Sequence, residues 1–163
     1  MQNNKFTDPE FWCVLAERGG GPVPGGDGTV YDTKTCYIKA IEVAPGNDWA
    51  SAWNGLGELG GGTVNDTLFD KKGCFVKAAE GDGNSPMAWY NLGVEGGGAL
   101  WTFKGTVEGA VYDSKTCYTK AIELYPMYAA AYKALGTLGG GPYMLNGESM
   151  TAEQCLEAST RCL

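Results

Sequence analysis

No histidine occurs anywhere in the 163 residues. That removes the commonest general base, and with it the nucleophile–histidine pairs of most hydrolases. Positive charge is scarce as well: 12 Lys and Arg stand against 19 Asp and Glu, for a net charge of −7. The basic residues are scattered singly apart from Lys71-Lys72. Binding to phosphate backbones or anionic lipid requires a basic footprint, so neither nucleic acid nor a membrane surface is expected as a partner. No apolar run approaches the ~18 residues of a membrane span. The opening "MQNNKFTDPEFW" lacks the charged-then-apolar build of a secretion signal. A soluble, intracellular and cytoplasmic chain is the resulting expectation.

Glycine, by contrast, is abundant, with 26 residues, and its placement follows an internal repeat. Ala52-Trp53-Asn54-Gly55-Leu56-Gly57, Ala88-Trp89-Tyr90-Asn91-Leu92-Gly93 and Ala131-Tyr132-Lys133-Ala134-Leu135-Gly136 align, each followed shortly by a run of three glycines. A fainter copy, with Trp12, Leu15 and Ala16, precedes Gly19. A second motif also recurs: "YDTKTCYIKAIEVAP" from Tyr31, "FDKKGCFVKAAEGDG" from Phe69, "YDSKTCYTKAIELYP" from Tyr112 and, more weakly, "MTAEQCLEASTRCL" from Met150. Cys36, Cys74, Cys117 and Cys155 mark it at steps of 38, 43 and 38 residues. A single domain of four units follows, at approximately 8–46, 47–85, 86–128 and 129–163.

Both halves of the unit carry helical spacing. Trp53, Leu56 and Gly57 stand at i, i+3, i+4, as do Tyr118, Ala121 and Ile122. Thr29-x-x-Asp32 and Thr67-x-x-Asp70 have the form of capping boxes opening the second helices, while the recurrence of Asp32, Asp70 and Asp113 at one position marks these aspartates as caps rather than catalysts. Pro45, Pro126 and the Gly81–Pro86 stretch end those helices. No segment is expected to form a strand. The glycines Gly57, Gly93 and Gly136 are expected where two helices approach closely, and the glycine runs as helix stops in the left-handed conformation. A phosphate loop is rejected. Gly28 to Thr35 and Gly109 to Thr116 approach its pattern, but each lacks the second glycine and neither follows a strand.

The motifs "AWYNLG" and "CYTKAIELYP" resemble the tetratricopeptide repeat, and "GGGTV" before "KAAEGDGN" is similar to its Sel1-like relative. The resemblance covers all four units. It implies an all-α, right-handed solenoid of helical hairpins with glycine-rich loops, and a non-catalytic scaffold that binds a protein or peptide in a concave groove lined by the first helices. The family pattern places Asn54, Glu58, Tyr90, Asn91, Val94, Lys133 and Thr137 at the exposed groove positions, either as partner contacts or as plain solvated residues. With Glu58 in an acidic protein, basic or apolar partners are favoured. The third unit carries seven extra residues, aligned as Ala99 to Gly105, whose Trp101 either folds back on the local core or anchors a partner. The alternative is a self-assembling structural protein, because Leu156, Ala158 and Leu163 continue the repeat in the last helix without a polar capping helix to cover that face.

The six cysteines are read as packed thiols, with metal binding or redox sensing the lesser alternative. Equivalent helices stacked about 8–10 Å apart hold their cysteines too far apart for disulfides. Such stacking also spreads the thiols along a line instead of around one metal ion. No cofactor and no metal are expected.

Overall fold

The computed structural model describes residues 5–24, 26–44, 49–100 and 109–162. The chain divides into two compact units, Met1–Asp82 and Gly83–Leu163, each holding two of the four repeats. In the first, α1 (Pro9–Glu17), β1 (Gly21–Pro22), β2 (Val30–Tyr31) and α2 (Thr33–Val43) are followed by α3 (Ala50–Glu58), β3 (Gly62–Val64), β4 (Thr67–Phe69) and α4 (Lys71–Gly81). In the second, α5 (Pro86–Val94), β5 (Gly98–Leu100), β6 (Ala110–Tyr112) and α6 (Ser114–Leu124) are followed by α7 (Ala129–Leu138), β7 (Tyr143–Leu145), β8 (Glu148–Met150) and α8 (Ala152–Arg161). The chain is mostly helical. None of the helices among the described residues is long and apolar enough to cross a membrane.

The strands overturn the expectation that none would form. Each repeat is a helix, a two-stranded antiparallel hairpin and a second helix. The hairpins have a local cause. Val64 pairs with Thr67 across Asn65 and Asp66, and Leu145 pairs with Glu148 across Asn146 and Gly147. All four turn residues have positive φ, between 46° and 86°, the requirement of the tight turn whose twist matches that of paired strands. The extra residues of the third repeat lengthen this turn. Leu100 pairs with Ala110 in the register of Val64 with Thr67, leaving residues 101–109 between the strands. Ala99 and Leu100 therefore belong to β5, and Trp101 lies outside the described residues.

The glycine runs do stop the helices. Gly60 N–H donates to Gly57 O and Gly61 N–H to Leu56 O, both at 2.9 Å, satisfying the last carbonyls of α3. The same pair of bonds closes α1 through Gly19 and Gly20, and α5 through Gly96 and Gly97. The second glycine of these three runs, unlike Gly140 of the fourth, has a further duty. A methyl group on Gly20, Gly61 or Gly97 would overlap the carbonyl oxygen of Tyr31, Phe69 or Tyr112, where the returning strand crosses the helix end.

That crossing seals the core. Tyr31, Phe69 and Tyr112, the last residues of their strands, stack edge-on against Trp12, Trp53 and Trp89 at centroid distances of 5.1, 4.8 and 5.0 Å. Lys39 and Lys120 lie over the first and third of these pairs. The close approaches occur where expected: a side chain on Gly57, Gly93 or Gly136 would run into Phe75, Tyr118 or Leu156 of the helix after the hairpin.

The capping boxes are corrected. Thr67 is a strand residue, and Asp32, Asp70 and Asp113 themselves cap α2, α4 and α6, accepting from the N–H groups of Thr35, Gly73 and Thr116 at 2.7–2.8 Å. A complete capping box exists at Thr151 and Gln154. Hydrogen bonds from Thr35 and Thr116 hold the Asp32 and Asp113 carboxyls below their ordinary value of 3.8. The unfolded chain therefore takes up these protons first as pH falls. Stability contributed by these caps should be full above about pH 4 and decline on acidification, and Asp113→Asn should flatten that decline in a series of thermal melts.

Candidate functional site

Among the described residues, a groove of mixed polar and apolar lining that gathers sequence-predicted residues lies in the second unit, between α5 and α7 with α6 behind them. Its volume is about 760 Å³. Tyr90 and Val94 contribute one wall from α5, and Lys133, Thr137 and Leu138 the other from α7. The spacing i, i+4 on each helix puts both members of a pair on one face. Tyr118, buried, enters from α6, and Gly93 leaves room for its ring. Burial, then the neighbouring Tyr90 and Cys117, pushes the Tyr118 phenol above its ordinary value, so it remains a hydroxyl donor near neutral pH.

Four of the eight residues singled out from the sequence thus line one groove. Lys133, Thr137 and Val94 are exposed there. The Thr137 hydroxyl donates back to the Lys133 carbonyl at 2.8 Å. Tyr90 is half-buried rather than a free-standing aromatic: its ring is 5.8 Å from that of Tyr118 and 5.2 Å from that of Tyr128. Tyr125 lies 6.2 Å beyond Tyr128. Tyr90→Ala should therefore lower stability by about 1–2 kcal/mol, through lost ring contacts and area, whereas Tyr90→Phe should lie within about 0.5 kcal/mol of wild type. Urea titrations of both variants test this.

The remaining residues are placed elsewhere. Asn91 is half-buried on α5 outside the groove lining. Asn54 is corrected outright: it is 1% exposed. Helix α3 packs on α2 at one side and α4 at the other, and Gly55 and Gly57 admit the rings of Tyr37 and Phe75 against it. From Ala52 to Gly57 every residue is buried, so no open face remains at Asn54. Glu58 is exposed but belongs to the first unit, where it acts with Glu17 on Tyr37. Burial, then Glu17, Cys13 and Glu58, raises that phenol. Tyr118, Leu138 and Glu17 were missed in the sequence, although the repeat carries the signal. Tyr118 recurs at the position of Tyr37 and Phe75, and Glu17 at that of Glu58.

A second cleft, of about 620 Å³, brings Lys34 to the glycines Gly60, Gly61 and Gly62 at the start of α4. Asp70 lies in it and takes the Gly73 N–H at 2.7 Å, placing a carboxylate where a phosphate would need donors. The phosphate reading of the glycines gains nothing from this arrangement.

Neither the protein-family models nor the curated proteins give a match to this chain.

Cys36, Cys74, Cys117 and Cys155 are fully buried, one in each second helix. Cys13 is buried against Trp49, whose indole N–H donates to its sulfur. None of these five is joined in a disulfide, and neither is the half-buried Cys162. Burial, joined by the Asp32 and Asp70 carboxylates, pushes the Cys36 and Cys74 thiols up to about 11. Iodoacetamide at pH ~8 reacts with thiolate. It should modify Cys162 well before the other five, and all six should react at similar rates in guanidinium, read by peptide mass spectrometry.

Proposed function

We propose that this chain is a non-catalytic helical-repeat scaffold, built on the plan of tetratricopeptide and Sel1-like repeats. Its repeats stack as a right-handed solenoid, and the α5–α7 groove takes a segment of a protein partner. The observation that carries this reading is the convergence of Tyr90, Val94, Lys133 and Thr137 on one groove of about 760 Å³. That volume lies within the range of about 300–1,000 Å³ common for binding clefts. Tyrosines presenting both a ring face and a hydroxyl are frequent anchors in such surfaces.

Site-specific photocrosslinking tests the proposal without emptying the core. A photoreactive residue at Val94 or Thr137, both exposed, should capture a partner from cell extract, whereas one at the exposed strand residue Leu68 should not. Capture from Leu68 alone removes the groove from consideration. The assembly alternative rests on Leu156, whose side chain packs against Gly136 yet stays 41% exposed on the last helix. A scattering mass that rises with concentration would support it.

A further inference from the structure

We propose that the α5–α7 groove selects an acidic segment bearing an apolar side chain, reversing the preference for basic partners read from Glu58. The inference rests on the groove being the partner site, and on charge and chemistry within it. Among the described residues lining the groove, Lys133 is the one charged side chain. It is exposed and joins no ion pair among the described residues. Two carboxylates stand next to lining residues: Asp113, beside Ser114, is committed to capping α6 through the Thr116 N–H at 2.8 Å, and Glu95, beside Val94, is the half-buried C-cap residue of α5 and is not part of the lining. Glu58, which set the expectation of basic partners, stands with Glu17 and Tyr37 in the first unit.

The other polar groups facing the groove are hydroxyls. Tyr90, Tyr118 and Ser114 line it with Lys133. Ammonium and hydroxyl donors together form an anion-accepting set, and a carboxylate takes charge-assisted bonds from both. Val94 and Leu138, about half exposed, and the faces of Tyr90 and Tyr118 supply the apolar part. The net charge of −7 does not outweigh this set. Salt screens exposed charges beyond about 8–10 Å, while a directly contacting pair in a groove is screened far less.

Selection of random short peptides displayed on phage, against the intact chain, tests the proposal. Wild type should enrich Asp or Glu close to an aromatic or branched aliphatic residue, and the enriched peptides should bind more weakly as salt rises. Lys133→Glu should bind those peptides about tenfold or more weakly and should itself select Lys- or Arg-bearing peptides. Enrichment of basic or uncharged peptides by wild type, or the same peptides from Lys133→Glu, overturns the charge preference. Thr137→Trp, at an exposed helical position, fills the groove and separates the two levels of failure. If it abolishes binding of charge-insensitive peptides, the groove stands as the site and only the acidic preference falls. If peptides bind Thr137→Trp unchanged, both fall. Circular dichroism of each variant confirms that the helices persist.

Discussion

Trp89→Ala is expected to lower the stability of the Gly83–Leu163 unit by about 3–5 kcal/mol, the range for emptying a large aromatic site in a core. Trp89 is 1% exposed, and the Tyr112 ring and the Lys120 ammonium both lie against it. Its indole N–H donates to the Gly83 carbonyl at 2.7 Å, so truncation also leaves that acceptor without its donor. A domain's whole stability is about 5–15 kcal/mol, so the loss should be visible as early unfolding of this unit. Trp89→Phe keeps a ring against Tyr112 but loses the N–H and part of the volume, and should cost less than half as much. Hydrogen exchange read by mass spectrometry separates the two units. A loss below about 1 kcal/mol for Trp89→Ala would mean that the hairpin does not hold the first helix through this ring.

Gly97→Ala should cost about 2–4 kcal/mol, and its neighbour Gly96→Ala only about 1–2 kcal/mol, although both glycines have positive φ. The difference is what lies nearby. A methyl on Gly96 meets nothing within 4 Å, so its cost is the left-handed backbone alone. A methyl on Gly97 collides with the Tyr112 carbonyl and the Asp113 backbone, which cannot move without opening the β5–β6 pairing or the start of α6. Equal urea midpoints for the two variants would show that the returning strand does not cross the helix end so closely.

Much of this architecture is local and therefore legible in the chain. The repeat, the helical spacing around Trp53, Trp89 and Tyr118, the aspartate caps and the glycine stops each depend on residues within one or two turns of each other. The tight turns at Asn65-Asp66 and Asn146-Gly147 were equally local signals. The strands they join are three residues long, too short for alternation to register as a pattern. The groove was legible only by halves. Repeat position alone put Tyr90, Val94, Lys133 and Thr137 on equivalent helix faces. It assigned Asn54 to the same class, and packing decided otherwise: α2 and α4 close on α3 from both sides, and its glycines let them approach. The tyrosine cluster around Tyr90 likewise draws on three separate elements, α5, α6 and the segment before α7. Spacing along the chain fixes which residues share a face. Which faces are covered depends on how closely neighbouring helices approach, and that is set by side-chain volumes meeting across the fold.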